Sequence, residues 1–257
     1  MRAHAPTLAL FSILSFVIVA ATRAAPVQPL SDSGAITGVA TIVDGDSLKI
    51  EGTSIRLHGI DAPEMAQACN SAVATGPRQI PVLAAEGAAT WRCGLEAKRA
   101  LAHMIDGHPV ACTPTTLDKY GRTVARCRAS GIDLNAEMVR SGMAWAFVRY
   151  SSDYVGQERE ARAARRGIWQ AETQTAWDFR AAKWQAAVAA APDVGAPQGC
   201  AIKGNVTGDG ARIYHLPWSP WYANVRMDAG SLSRKGKRWF CSEAEAVAAG
   251  WRPSATR

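Results

Sequence analysis

The stretch TSIRLHGIDAPE, from Thr53 to Glu64, combines the pattern of a β-strand with a cluster of charged side chains. Its first half alternates and carries β-branched residues, which predicts a strand. Two carboxylates, Asp61 and Glu64, then follow within four residues, and Pro63 restricts the backbone between them. Arg56 lies a few residues upstream. We therefore expect a strand end that brings two carboxylates and a guanidinium group to one place.

The composition is that of a basic, globular protein. Of the 257 residues, 48% are hydrophobic and 20% are charged, which is too apolar for a disordered chain. This length suffices for one sizeable domain and a small second one. Lys and Arg outnumber Asp and Glu by 29 to 22, giving a net charge of +7. Such a surplus attracts polyanions but also serves solubility, so charge alone does not identify a partner.

The first 25 residues predict a cleaved secretory signal peptide. Arg2 precedes an apolar run from Leu8 to Ala21, and the small residues after it place the cut near Ala24 or Ala25. The run is shorter than the roughly 20 residues of a membrane span. We expect export to the periplasm or the medium of a bacterium, with no stable membrane anchor.

The stretch VACTPTTLDKYGRTVARC predicts a disulfide-bonded hairpin. Six cysteines in an exported chain are most simply three disulfides. The centre of the turn lies between Lys119 and Tyr120, which places Cys112 opposite Cys127 at a distance that a disulfide can bridge.

The other four cysteines are assigned by sequence neighbourhood, which suggests the pairs Cys69–Cys93 and Cys200–Cys241. The alternative is zinc binding by cysteines with His215, although the chain lacks a paired C-x-x-C motif.

The order of elements predicts a β-rich first part followed by helices. Residues 36–60 have strand character, and the irregular stretch Met65–Gly94 is bracketed by two cysteines. Helices are predicted in LEAKRALAHMIDG, ending at Gly107; in DLNAEMVRSGMA, beginning near Asn135; in SSDYVGQEREARAARRGIW, ending at Gly167; and in QTAWDFRAAKWQAAVAAA.

The region after Cys200 differs in composition and predicts a second, small module. It contains four tryptophans, at positions 218, 221, 239 and 251. They suit either an aromatic binding surface around YHLPWSPWY or the core of a disulfide-stapled domain. The predicted organisation is a signal peptide (1–25), a first domain (36–184) with an insertion (65–94), a linker (185–199) and a C-terminal module (200–252).

Several charged side chains together suggest phosphodiester chemistry. Taken alone, the DGD of VDGDS is most simply a polar turn, although an extended backbone would point Asp44 and Asp46 to one face. Asp46, Asp61 and Glu64 offer hard oxygen donors, which suit Ca²⁺. Arg56 and Arg122 offer planar forks that match phosphate oxygens.

The ordered set VDGDS, RLHGIDAPE and DKYGR, followed by LNAEMVRSGMAWA and ARRGIW, resembles the staphylococcal nuclease (thermonuclease) family over about Ile36 to Trp184. The resemblance implies an α+β fold, with a five-stranded OB-type β-barrel and about three helices, that cleaves DNA and RNA with Ca²⁺. We also expect a small disulfide-stapled C-terminal domain and a monomer.

The resemblance also implies a role for each matching residue. The metal ligands would be Asp46, Asp61 and the Ala62 carbonyl; the catalytic residues would be Arg56, Arg122 and Glu64; and the substrate-binding residues would be Asp44, Lys119 and Tyr120. Two aromatic residues, Phe147 and Tyr150, compete for the place of the base-stacking ring.

Two function classes remain. The first is a secreted Ca²⁺-dependent nuclease, in which the metal and two arginines stabilise the phosphorane and Glu64 orients or activates water. The second is a non-catalytic OB-type protein that binds nucleic acid or glycan, since fold does not imply function. The joint presence of three carboxylates and two arginines favours the enzyme.

Overall fold

The computed structural model describes residues 34–72, 89–118, 120–190, 196–227 and 236–254, so the predicted signal peptide lies outside the described residues. The strands are β1 (Ile36–Gly38), β2 (Ala40–Ile42), β3 (Ser47–Ile50), β4 (Thr53–Leu57), β5 (Ile60–Asp61), β6 (Cys69–Asn70), β7 (Thr90–Trp91), β8 (Val110–Leu117), β9 (Thr123–Ala129), β10 (Ile132–Asp133), β11 (Trp145–Ala146), β12 (Ile202–Val206), β13 (Arg212–His215), β14 (Arg238–Phe240) and β15 (Arg252–Pro253). The helices are α1 (Cys93–Ile105), α2 (Leu134–Arg140), α3 (Val155–Ala163), α4 (Ala176–Ala190) and α5 (Glu243–Ala248). None of these five helices is long and apolar enough to cross a membrane.

The main sheet has the strand order β1-β8-β9-β4-β3-β2, with β10 added to β9. Among the described strands of this sheet, β4 and β9 form the parallel pair, with Ile55 beside Thr123. The mixed α+β class is therefore confirmed. The sheet order has two ends, β1 and β2, so a closed barrel is not observed among the described strands. The apolar faces of β3, β4 and β9 pack on α1 and α2, and Leu48, Ile55 and Leu101 are fully buried there.

The hairpin of β8 and β9 confirms the predicted pairing of Cys112 with Cys127, both in register and as a disulfide. Beyond Pro114 the register shifts by one residue, so that Thr116 faces Val124. Proline has no N–H to donate to the ladder and is tolerated at such an irregularity. The fully regular hairpin implied by the sequence is therefore correct only at its cysteine end.

The predicted helices are present, with one corrected boundary. Helix α1 ends before Asp106, which adopts a left-handed conformation (φ 45°), and Gly107 follows. Helix α2 begins after Asp133, whose side chain accepts a hydrogen bond from the backbone N–H of Ala136. Helix α3 ends at Ala163 rather than at Gly167, because the chain turns there and then forms a short 3₁₀ helix, Gly167–Trp169.

The start and end of the 65–94 insertion are joined covalently. The disulfide Cys69–Cys93 is confirmed, and β6 pairs with β7 beside it. Both cysteines are buried in a second apolar cluster with Trp145, Ile168 and Ala176. The first residue of α4 and the insertion are therefore fixed against the same core.

The C-terminal module is a four-stranded sheet, β14-β12-β13-β15, with helix α5. The disulfide Cys200–Cys241 is confirmed, and all six cysteines are paired, so the zinc alternative is wrong. Trp239 and Trp251 are each only 8% exposed and belong to the core, whereas Trp221 is 41% exposed. The tryptophans therefore divide between core and surface.

Helix α4 crosses the predicted boundary between the first domain and the linker. Residues 185–190 continue the helix, and Trp184 packs on the core of the C-terminal module. Trp177, two turns earlier, packs on the second cluster of the first domain. One helix thus contacts both parts of the molecule.

Candidate active site

The register of β3 and β4 brings Arg56 to the DGD bend. Ser47 faces Arg56 in this pair, so the guanidinium lies beside the preceding Asp46. Nη1 of Arg56 donates to Asp46 Oδ1 at 2.6 Å, and Nη2 donates to Asp61 Oδ1 at 2.7 Å. A single planar fork therefore joins two carboxylates from different segments. These ion pairs raise the pKa of Arg56 above its ordinary value although burial acts in the opposite direction.

Asp46 is buried in a bend, in agreement with the polar turn that the DGD sequence favours when taken alone. Its Oδ2 accepts a 2.8 Å hydrogen bond from the backbone N–H of Ala62. Burial raises the pKa of this carboxyl, but Arg56 and the Ala62 N–H outweigh burial, and the pKa is lowered overall. The bend needs Gly45, because a Cβ there would lie 2.7 Å from the Cβ atoms of Ala62 and Ala97.

Asp61 is fully buried at the end of β5, which pairs with β11 so that Asp61 faces Trp145. Its two carboxylate oxygens both accept from guanidinium groups. Oδ1 accepts from Arg56 at 2.7 Å and from Arg180 at 3.2 Å, while Oδ2 accepts from Arg180 at 2.7 Å. A buried carboxylate requires such partners, because an uncompensated buried charge costs about 3–5 kcal/mol.

Glu64 lies beside this pair, at the point where the insertion begins. Its backbone touches the start of α1 so closely that a Cβ on Gly94 would lie 1.8 Å from the Glu64 carbonyl oxygen. Its Oε1 accepts a 2.8 Å hydrogen bond from Nη1 of Arg180. Burial raises the pKa of Glu64 to about 7, although Arg180 acts to lower it.

Asp44 completes the acidic cluster. Its Oδ1 accepts from the backbone N–H of Asp46 at 3.1 Å, which closes an Asx turn. Burial, together with the neighbouring charges of Asp46 and Glu64, raises the pKa of Asp44 to about 7.

Arg180, on α4, is the residue that sequence analysis missed. It is more than 110 residues from Asp61 and Glu64 in the chain, and no motif surrounds it. One signal was available: Arg180 lies between Trp177 and Trp184 at spacings of three and four, on the helical face that packs inward. An arginine on an otherwise aromatic face requires a buried acidic partner.

Hydrogen bonds from the start of the insertion hold the chain that leads to α4. Gln67, which is 2% exposed, accepts from the Glu64 backbone N–H and donates to the Gln174 carbonyl at 2.7 Å. Asn70 donates to the Glu172 carbonyl, also at 2.7 Å. The insertion therefore positions Arg180 relative to Glu64.

Arg122 lies at the tip of the β8–β9 hairpin. Its Nε donates to Asp118 Oδ2 at 2.7 Å, and the same carboxylate accepts from the backbone N–H groups of Tyr120 and Arg122. Its charge contributes to the lowered pKa of Asp46, although the two side chains are not paired directly. Asp118 is thus a second functional candidate missed by the sequence, whereas Lys119 lies outside the described residues.

Tyr120 contacts the C-terminal module. Its hydroxyl donates to Glu243 Oε2, and Tyr214 donates to Glu243 Oε1 at 3.3 Å. Burial and the Glu243 carboxylate raise the pKa of Tyr120 above its ordinary value. The wall of the predicted nucleotide pocket is therefore joined to α5.

The two competing aromatic residues have different surroundings. Phe147 stacks on Trp177, with ring centroids 5.6 Å apart and planes inclined by 12°. Tyr150 touches Phe147 and is 71% exposed. Only Tyr150 thus has a largely free ring face for a base.

The residues of the cluster fit a hard divalent cation by charge and donor type. Four carboxyl groups, Asp44, Asp46, Asp61 and Glu64, influence one another, and two guanidinium groups, Arg56 and Arg180, contact the last three directly. When all four are ionised, two negative charges remain unbalanced. Among the described residues no three His, Cys, Asp or Glu side chains form a ready metal cage, so Asp46 and Asp61 would need the Ala62 carbonyl and water as further ligands.

An apolar groove adjoins the site alongside α4. Its volume is about 250 Å³, and it is lined by Arg180, Ala181, Trp184, Gln185 and Trp218. Arg180 therefore borders both the acidic cluster and the groove.

Comparison with known proteins identifies two matched regions in this chain. Residues 54–171 match the family model described as staphylococcal nuclease homologue, and residues 181–253 match a model named ArfC. The succinoglycan biosynthesis protein ExoI of Rhizobium meliloti (strain 1021) is 34% identical over 154 residues, covering 56% of this chain and 72% of that protein. A micrococcal nuclease of Shigella flexneri is 30% identical over 162 residues, covering 56% and 79%.

A plant relative is matched over a smaller share of its length. The probable staphylococcal-like nuclease CAN2 of Oryza sativa subsp. japonica is 31% identical over 129 residues, which are 49% of this chain but only 28% of that protein. The region that matches the family model, residues 54–171, contains the strand end with Asp61 and Glu64 and the hairpin with Arg122. This chain belongs to the staphylococcal nuclease homologue family.

Proposed function

We propose that this protein is an exported, Ca²⁺-dependent nuclease that hydrolyses phosphodiester bonds of DNA, RNA or both. The observation that carries the proposal is the convergence of Asp46 and Asp61 on Arg56, with Glu64 held beside Asp61 by Arg180, in a chain of this family. A binding protein gains nothing from gathering so many buried charges, whereas phosphodiester hydrolysis uses both signs of charge.

Asp46, Asp61 and the Ala62 carbonyl would hold the cation, which supplies Lewis-acid stabilisation of the charge on the phosphoryl oxygens. Arg56 lies between the two carboxylates and would donate to the phosphate group from that position. Arg122 is 31% exposed at its side chain and is oriented by Asp118, so it would be available to contact the same phosphate group.

Glu64 would activate the attacking water. A carboxylate with a pKa of about 7 can accept a proton near neutral pH and release it afterwards. Activity is expected to rise with pH through this range, because only the ionised form accepts the proton. We expect an optimum on the alkaline side.

Export and fold complete the proposal. Three disulfides persist in oxidising compartments, which supports a periplasmic or extracellular location together with the predicted signal peptide.

The five-stranded OB-type barrel is proposed because β1 and β2, the two ends of the sheet order, are separated by Val39 alone. We propose a monomer.

Incubation of the mature protein with plasmid DNA and with RNA tests the function. We expect cleavage with Ca²⁺, little with Mg²⁺ because of its stricter octahedral geometry, and none with excess chelator. The Arg56→Lys protein is the matched control for a contaminating nuclease. Full activity in chelator would contradict the metal dependence.

The alternative is a non-catalytic exported protein that binds nucleic acid or glycan. The relative whose name refers to succinoglycan biosynthesis is the observation that favours the glycan form. Binding of polysaccharide without any cleavage of DNA or RNA would favour this alternative.

A further inference from the structure

Arg180 lies outside both matched family regions, which end at residue 171 and begin again at residue 181. Its guanidinium nevertheless forms two hydrogen bonds with Asp61 and one with Glu64. These are the carboxylates proposed as a cation ligand and as the base. Neither family model therefore assigns this residue, although it contacts the proposed chemistry directly.

The geometry at Asp61 leaves little room for a second cation. Arg180 Nη2 lies 2.7 Å from Oδ2, and Arg56 Nη2 lies 2.7 Å from Oδ1, so each oxygen of this buried carboxylate already has a positive partner. A dication at bonding distance from Oδ2 would lie within a few ångströms of the Arg180 guanidinium. Like charges at that distance repel strongly where water is excluded.

The structure also provides a place for a displaced Arg180. The groove beside it has a volume of about 250 Å³ and contains the rings of Trp184 and Trp218. Aromatic faces attract a guanidinium group. Arg180 already borders this groove and its side chain is 23% exposed, so a rotation about its own side-chain bonds would be enough to bring the guanidinium to these rings.

Arg180 does not compete with a cation on the Asp46 side of the site, where the guanidinium partner is Arg56. Among the described residues, Asp46 contacts Arg56, Ser47 and the Ala62 N–H, and Arg180 does not reach it. Arg56 belongs to β4, a strand inside the main sheet, whereas Arg180 belongs to α4, which lies much later in the chain. Of the two arginines at Asp61, Arg180 is thus the one that can leave.

We propose that Arg180 is the internal counter-cation of this site, and that a divalent cation binds Asp61 only when Arg180 withdraws from it toward the groove. The proposal rests on the proposed cation site. Arg180 thereby lowers the apparent affinity for the cation and keeps Glu64 paired in the cation-free protein.

Calcium titration calorimetry on the metal-free protein tests the displacement. We expect Arg180→Gln to bind Ca²⁺ about tenfold more tightly than the wild type, which corresponds to about 1.4 kcal/mol. Lys183→Gln is the matched control, because Lys183 is exposed on the same helix and loses the same charge without contacting the cluster. Its affinity should change less than about twofold.

The sign of the effect separates this role from a purely structural one. A variant that only loosens the site would bind calcium more weakly, whereas loss of a competitor tightens binding. Arg180→Lys is a second variant in case Arg180→Gln does not fold, because it keeps the positive charge but loses the planar group that contacts two carboxylates. We expect this variant to fold and to have an affinity between those of the wild type and Arg180→Gln.

Two outcomes would overturn the inference in distinguishable ways. Equal or weaker calcium binding by both Arg180 variants, with normal Ca²⁺-dependent cleavage by the wild type, would contradict the displacement of Arg180 but not the nuclease function. Absence of calcium binding by the wild type and all three variants would contradict both the proposed calcium dependence and the displacement.

Discussion

Tyr120, at the tip of the β8–β9 hairpin, donates its hydroxyl hydrogen bond to Glu243, the first residue of α5. The predicted nucleotide pocket is therefore attached to the C-terminal module by a charge-assisted contact. Glu243 also lies in the first turn of its helix, where the helix dipole favours a negative charge.

Replacement of Tyr120 by Phe should lower the free energy of unfolding by about 1.5–3 kcal/mol, the usual range for a hydrogen bond to a charged group. Tyr214→Phe is the control, since its hydroxyl lies 3.3 Å from the other oxygen and should contribute less. Urea unfolding of both variants measures the difference. An equal loss of unfolding free energy in the two variants would mean that the Tyr120 hydrogen bond stabilises the protein no more than the Tyr214 one does.

Arg56→Lys keeps the positive charge but cannot join Asp46 and Asp61 with one planar group. We expect kcat to fall at least about 100-fold with the fold intact, as for the loss of other transition-state donors. Circular dichroism checks the fold, and a nicking assay measures the rate. Near-normal turnover would exclude Arg56 from the catalytic site.

Asp46→Ala should abolish Ca²⁺-dependent cleavage because it removes a proposed ligand. Glu64→Gln should instead leave calcium binding largely in place and slow the chemistry, since an amide cannot accept the proton from water. Calorimetry and a cleavage assay on both variants separate the two roles. Normal cleavage by Asp46→Ala would refute the cation-site assignment.

The two disulfides of the first domain should differ in their effect on activity. Cys112→Ser/Cys127→Ser should lower stability by about 2–4 kcal/mol while the catalytic groups remain in place. Cys69→Ser/Cys93→Ser should also reduce the rate, because that disulfide lies in the cluster that fixes the insertion and α4. Peptide mapping of the intact protein must recover the Cys112–Cys127 linkage. If both double variants kept full kcat at a temperature where they are folded, the insertion would have no role in positioning the site.

The metal-free protein should become less stable as the pH rises from about 4 to above 7. The pKa values of Asp44 and Glu64 are raised from 3.8 and 4.5 to about 7, so in this window the folded state holds protons that the unfolded chain releases. His58 and His215 have lowered pKa values, and their contribution has the opposite sign below about pH 6.5. Asp44→Asn isolates the carboxyl contribution.

Unfolding free energies measured in chelator at several pH values test this dependence. We expect the decrease between pH 6.5 and pH 8 to be smaller in Asp44→Asn than in the wild type. Identical pH profiles for the two proteins would contradict the raised pKa of Asp44.

Local patterns predicted most of the scaffold. Alternation gave the strands around Arg56, and the turn centre gave the register of Cys112 with Cys127. The slip beyond Pro114 was not predicted, because it depends on a missing N–H whose consequence is set by the facing strand. Beyond the end of α3 at Ala163 the chain packs closely at Gly142 and Gly167, where a Cβ would lie within 2.2 Å of the facing backbone, and the helical pattern does not reveal this approach.

The candidate site was predictable only where its residues form compact motifs. Asp46, Arg56, Asp61 and Glu64 lie within 19 residues and form two recognisable strings. Arg180 depends on tertiary packing, since Trp177, Trp184 and hydrogen bonds from Gln67 determine where α4 lies. The helical spacing of Arg180 with Trp177 and Trp184 indicates an inward face, but it does not show which carboxylates that face meets.

Helix α4 also bears on how the two parts of this chain could be separated. A fragment ended at residue 171, where the nuclease match stops, would lack Arg180, and one begun at residue 181 would lack it as well. Asp61 would then keep Arg56 as its one guanidinium partner, and Trp145 would lose the Trp177 ring that now packs against it. The segment between the two matched regions thus contributes to the site and to the core. An excised nuclease domain would differ from the same domain in the whole chain in both its charge balance and its core.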